Sequence, residues 1–230
     1  MVKPVNFLEM IGGGRIPEVL VGTWIVMAIL LLLGLAARAA LSRAEDPIVP
    51  DDGITIRSVM EMAAEWLDNF TREVTEMHGS RAMVPFFGCL FLFILFANFF
   101  GLIPGMEPPT NDSDLTFALG AVCFVYYIVQ GFRAKGIWYL RSFLGPVLFL
   151  TPLMLPIEIA DNLFRPFSLG IRLSANMLAD HTVLGIFTGL TKLVIPVAFY
   201  ALGAIVCVVQ ALVFTVLPMS YVRLAAGGGH

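Results

Sequence analysis

Within FSLGIRLSANMLADH, residues 167–181, a permanently charged arginine, Arg172, stands among apolar neighbours. Residues 157–183 can be laid out as one helix at about 100° per residue, with angles measured from Arg172. On that helix Asp161 falls near about −20°, Arg165 near about +20°, Glu158 and Asn176 near about +40°, and Asn162 and Asp180 near about +80°. The ionisable residues therefore share one face. The remainder (Ile157, Leu163, Leu169, Ile171, Leu173, Met177 and Leu178) is apolar, so the stripe is not an ordinary solvated surface. An arginine at mid-bilayer costs about 2.5 to 3.5 kcal/mol on insertion scales, and something must face it. One answer is internal: pairing with Asp161, Glu158 or Asp180, or snorkelling to an interface. The other is a water- or proton-accessible path. A guanidinium stays protonated and presents a fixed positive field. It favours the ionised form of any carboxylate brought beside it and cannot itself carry the proton onward. His181 lies about 180° from Arg172. An imidazole there could serve a separate wet pathway, or could cap a helix end or meet a headgroup.

Positioning such a stripe calls for membrane-crossing helices. The chain of 230 residues is 58% hydrophobic and only 13% charged, against about 25% charged in soluble domains. A net charge of −3, with no Lys/Arg cluster, argues against nucleic acid. Cys89, Cys123 and Cys207 lack disulfide or zinc spacing, and His78, His181 and His230 are far apart in the chain. No metal or cofactor is expected. No G-x-S-x-G, H-E-x-x-H or P-loop pattern supports a hydrolase or kinase site.

The fold class predicted is all-α and polytopic, a single membrane domain over 1–230. Residues 19–41 form a first span, long enough for a hydrocarbon core of about 30 Å. It is read as a retained helix rather than a signal peptide. Residues 54–78 form an amphipathic surface helix, with Val59, Met62, Ala63, Trp66, Phe70, Val74 and Met77 at helical steps. Residues 83–103 and 115–132 make a transmembrane hairpin around an acidic loop. Residues 143–190, taken to cross once, and 193–223 form a final pair, giving about five crossings. Arg38, Arg43, Arg133, Lys135, Arg141 and Arg223 belong on the cytoplasmic side, which puts the amino terminus outside and the carboxyl terminus inside. No internal repeat suggests a duplicated transporter.

Ser168-Leu169-Gly170-Ile171-Arg172-Leu173 followed by Asn176-Met177 resembles the S-L-x-x-R-L-x-x-N-M stretch of subunit a of the F-type ATP synthases. Asn98 to Pro104 is similar to that family's N-x-x-G-L-I-P. Gln210-Ala211 with Phe214 is similar to its last-helix L-Q-A-x-x-F. The resemblance implies that Arg172 is the stator charge facing the c-ring carboxylate, with Asn176 and Gln210 flanking it. It implies that His181 and Glu158 belong to half-channels on opposite sides, and that the last two helices form a long tilted hairpin. Ser174-Ala175 departs from the usual Phe-Gly, Asp180 from a common Gly, and Gly203 from a common His or Glu. Asp180, or else Asp112 and Asp114 of the acidic loop, could supply the acid that Gly203 lacks.

The function so implied is that of a non-catalytic, proton-translocating stator subunit of a rotary ATP synthase. Its partners would be the c-ring, b-type peripheral stalk subunits and lipid, its transported ion the proton, and its location the bacterial inner membrane. The alternative is a stand-alone secondary transporter or channel in which Arg172 binds a small anion.

Overall fold

In the computed structural model the described residues are 18–42, 56–76, 80–103, 106–136, 151–190 and 194–226. Six α-helices account for most of them: α1 (Glu18–Ser42), α2 (Ile56–Thr75), α3 (Val84–Phe100), α4 (Ser113–Lys135), α5 (Thr151–Leu190) and α6 (Val194–Ala226). No strand occurs among the described residues. In hydrocarbon a backbone must satisfy its own polar groups, which a helix does and an open strand does not. Val19–Ala39, Ser113–Lys135 and Val197–Ala226 are long and apolar enough to cross a membrane, and Val84–Phe100 is a shorter apolar helix. The protein is an all-α, multi-pass membrane protein.

Helix α5 is different in kind. Its 40 residues are uninterrupted and reach about 60 Å, twice the hydrocarbon thickness. Residues 151–190 therefore run as one helix and do not double back. Pro156 and Pro166 lie inside it, and each removes one backbone donor without ending the helix.

The seam between α4 and α5 is packed tightly around Pro166. A Cβ on Gly120 would stand 2.6 Å from the Pro166 carbonyl oxygen, and one on Gly170 would stand 2.7 Å from the Phe117 ring. Two missing side chains thus let the helices meet almost backbone to backbone. Phe117 stacks on Phe167, centroids 5.1 Å apart, and the Tyr127 hydroxyl donates to Asn162 Oδ1. The partners run in opposite order along the two helices, so α4 and α5 are antiparallel.

Helices α5 and α6 are also antiparallel. Phe187 stacks on Phe199 at 4.3 Å, Asn176 bonds Gln210, and the Arg165 guanidinium lies 4.9 Å from the centre of the Tyr221 ring. The core between α3, α4, α5 and α6 is built on Phe87, Ile94, Leu173, Phe214 and Met219, all essentially inaccessible. Helix α1 joins through Val21 and Val26, which pack with Ala97 and Phe100 of α3.

Helix α2 is amphipathic, but its apolar stripe is divided. Leu67, Thr71 and Thr75 are buried, whereas Val59, Met62 and Trp66 are exposed. Phe70 and Val74 pack against the core. A stripe continuous on a helical wheel is here part contact surface and part free surface, because the bundle underlies only the later turns. Met77 lies outside the described residues. Glu76, just past the helix, pairs with Arg223 and ties the end of α2 to the end of α6.

Gly120→Ala should lower the thermal midpoint of the solubilised protein by the equivalent of about 1–3 kcal/mol, because backbone has to move. Gly185, where an added Cβ meets nothing within 4 Å, should tolerate alanine and gain up to about 1 kcal/mol. Circular-dichroism melting of the two variants side by side checks both.

Candidate functional site

Arg172 lies on the outer surface of α5 and is exposed. Ser168, Ala175 and Ala179, at helical steps around it, are exposed too and small, so another helix could approach closely. Among the described residues Arg172 forms no ion pair. Asp161 is bound instead to Arg165, 2.6 Å from Nη2 to Oδ2. The internal pairing that would neutralise Arg172 is thus not made by Asp161, Glu158 or Asp180.

The polar stripe straddles the edge between this outer face and the packed side of the helix. Asp161, Arg172 and Asn176 are exposed, Glu158, Arg165, Asp180 and His181 are half-buried, and Asn162 is buried. The inward side is marked by Leu169, Leu173 and Met177, so the residues about 80° from Arg172 turn into the seam. Asn176 Nδ2 donates to Gln210 Oε1 at 2.9 Å. Gln210 is 4% exposed, and its Nε2 has no partner. The Gln210 amide, which holds Asn176 one turn from Arg172, thus carries a buried, unused donor.

Toward the amino-terminal end of α6 a narrow crevice is lined by Asn98, Leu102, Asp180, His181 and Cys207. Asp180 reaches across to Gly203: a Cβ there would stand 2.9 Å from Asp180 Oδ2. The carboxylate fills the space that a larger residue at 203 would need. Asp180 and Gly203, both departures from the family pattern, therefore fit each other. Asp112 is engaged elsewhere, its Oδ1 accepting from the Asp114 amide at 2.8 Å to cap α4.

Asn98 belongs to this site and was not among the candidates. It accepts from Thr110 Oγ1 at 2.8 Å, and its Nδ2 lies at 3.5 Å, the outer limit of a hydrogen bond, from the Cys207 carbonyl. Gly101, three residues on, lies against the Pro108 ring, which a Cβ would meet at 2.6 Å. The N-x-x-G spacing in α3 was the available signal: it holds the loop before α4 over the crevice.

Glu158 stands at the far end, fourteen residues or about 21 Å before Arg172 along α5, whereas Asp180 lies about 12 Å after it. The Glu158 carbonyl accepts from Asn162 Nδ2 at 2.8 Å, and Asn162 in turn accepts from Tyr127. Tyr127 was also missed, because nothing in α4 taken alone marks it. The arrangement has two polar regions far apart on one helix with two guanidiniums between them, of which Arg165 is bound to Asp161 and Arg172 forms no ion pair among the described residues. No group of metal-ligating side chains occurs among the described residues.

Known proteins are similar to the chain over most of its length. The family described as ATP synthase A chain matches residues 20–223. ATP synthase subunit a of Bdellovibrio bacteriovorus is 43% identical over 199 residues, 86% of either chain. ATP synthase subunit a 3 of Pelobacter propionicus is 36% identical over 238 residues, covering both chains completely. The Sorangium cellulosum subunit a is 35% identical over 201 residues, 87% of this chain and 79% of its own. With the arginine, asparagine and glutamine motifs inside the matched region, the chain belongs to the ATP synthase subunit a family.

Proposed function

We propose that the chain is the proton-translocating stator subunit of a bacterial F-type ATP synthase, working against a ring of carboxylate-bearing c subunits and held by peripheral b subunits. The observation that carries this is the placement of Arg172, exposed beside small residues on the outside of the bundle and without an ion pair among the described residues. A cation on a hydrocarbon-facing surface is unfavourable until an anion from outside meets it. A substrate-binding arginine of a stand-alone transporter would instead line an internal cavity.

The chemistry follows from the charge. A rotor carboxylate arriving at Arg172 is held ionised and must give up its proton. Arginine cannot pass that proton on, so the two polar regions stay electrically separate. The Asp180–His181–Asn98 crevice serves as one half-channel and the Glu158 region as the other. Asn176, held by Gln210, flanks the arginine where the rotor helix passes.

The orientation is proposed with the amino terminus outside and the carboxyl terminus cytoplasmic, in a bacterial inner membrane. Alternating passages bring Arg38 near the end of α1, Arg133 and Lys135 at the end of α4, and Arg223 near the end of α6 to one side, in keeping with the positive-inside rule. The Glu76–Arg223 pair supports placing the end of α2 on that side as well.

Arg172→Ala should abolish ATP-driven proton pumping in inverted vesicles while the complex still assembles. Undiminished pumping would show the arginine to be merely structural and overturn the reading. Asp180→Asn should slow passive proton conduction severalfold at unchanged assembly, whereas normal flux would remove Asp180 from the path. Gln210→Leu should leave the melting midpoint within the equivalent of about 1 kcal/mol, since the amide already has an unsatisfied donor. Pumping in that variant should nonetheless fall, because Asn176 loses its anchor. A large drop in melting midpoint would assign Gln210 a packing role instead.

A further inference from the structure

Arg172 is not the only guanidinium on its side of α5. Arg165 stands two turns, about 10 Å, before it along the helix and only about 20° from it around the axis. A second bare cation there would act on the same passing carboxylate. At about 10 Å and an effective dielectric near 20, two unit charges still shift an equilibrium roughly tenfold. We propose that Asp161 is a specificity-determining residue of the rotor track: it cancels Arg165, so that the rotor carboxylate meets one uncompensated cation, Arg172. The inference deepens the stator reading given above and rests on it.

The geometry treats the two guanidiniums in opposite ways. Arg165 Nη2 stands 2.6 Å from Asp161 Oδ2, a charge-assisted hydrogen bond. The same guanidinium lies 4.9 Å from the centre of the Tyr221 ring on α6, within cation–π range. These contacts draw it away from the open surface: its side chain is 21% exposed, against 58% for Asp161. Arg172 is exposed and forms no ion pair among the described residues.

No other acid near Arg165 takes this part. The ionisable side chains that neighbouring helices bring to its crevice are Cys123 and Tyr127 of α4 and Tyr221 of α6, none of them a carboxylate. Glu158 is seven residues away on α5 itself, about 10 Å along the helix. Among the described residues Asp161 is the one carboxylate within ion-pair distance of Arg165.

An acid four residues before an arginine also supports its own helix, modestly. The surroundings favour a larger electrostatic role, because Ile157, Leu163 and Phe164 beside the pair are apolar and exposed. A bare guanidinium among them would be poorly solvated and its field weakly screened. The two roles separate by sign: if Asp161 acts by cancelling charge, its loss is harmful only while Arg165 keeps its own.

The test uses the whole complex in inverted vesicles, with assembly measured for every variant. Asp161→Asn should lower ATP-driven pumping about fivefold or more, and Asp161→Asn/Arg165→Gln should return it to within about twofold of the parent, as should Asp161→Glu. Passive proton conduction in Asp161→Asn should lose its alkaline limb about one pH unit lower than in the parent, because an added cation keeps the rotor carboxylate ionised to lower pH. A pair that merely holds the helix would not move that limb. Should Asp161→Asn not assemble, the charge is installed after assembly instead. Arg165→Cys and Asp161→Asn/Arg165→Cys are each treated with aminoethyl methanethiosulfonate, which adds a cation, and modification at position 165 is confirmed by mass spectrometry. Uncharged methyl methanethiosulfonate and the treated parent serve as controls. The cationic reagent should stop pumping only where Asp161 is absent. Parent-like pumping and an unmoved alkaline limb in Asp161→Asn would overturn the inference. So would failure of Arg165→Gln to restore pumping, or an equal response of the two cysteine variants to the cationic reagent. Arg172→Ala, run beside them, tests the stator reading separately. Undiminished pumping there removes that reading, whereas loss of pumping there with a parent-like Asp161→Asn removes this inference alone.

Discussion

The arrangement of this bundle depends on keeping one guanidinium, that of Arg172, on an outward face of an apolar helix. An internal carboxylate would have relieved the electrostatic cost, and α5 carries three acids within reach of its own length. Each is engaged or turned away. Asp161 is bound to Arg165, Asp180 is directed to the Gly203 side of the α5–α6 seam, and Glu158 lies about four turns distant. The helix therefore leaves its central charge available to something outside the chain.

Holding that charge outward depends on contacts on the opposite side of α5. Ser174, two residues on and turned inward, donates to the Asn111 carbonyl at 3.1 Å and lies 3.2 Å from the Ser113 hydroxyl. Together with the Gly120–Pro166 and Phe117–Gly170 approaches, these fix the rotation of α5 about its own axis. A helix free to roll by about one residue, 100°, would carry Arg172 into the seam. The substitution of Ser-Ala for the commoner Phe-Gly thus has a structural counterpart: a hydroxyl stitched to the loop before α4.

The helices and their order were legible in the sequence, because hydropathy over some 20 residues is a local signal, as is an arginine inside such a run. The motif around Arg172 added the family. Less legible was the partition of polar residues into outward and inward sets. A helical wheel groups Asn162 and Asp180 with Arg172, but the direction in which neighbouring helices stand decides which edge of the stripe is covered. The same holds for α2, whose Val59 and Met62 belong to the predicted stripe and yet are exposed.

What the sequence determined by itself was the all-α membrane architecture, the amphipathic α2 and the presence of an arginine inside an apolar run, since each depends on residues near in the chain. Only the tertiary structure decided that Asp180 occupies the space left by Gly203, that Asn98 lines the crevice with Asp180 and His181, and that Tyr127 secures Asn162. These contacts join residues 23 to 83 positions apart. They depend on the register of helices packed through missing side chains, and register is a property of the assembled bundle rather than of any one segment.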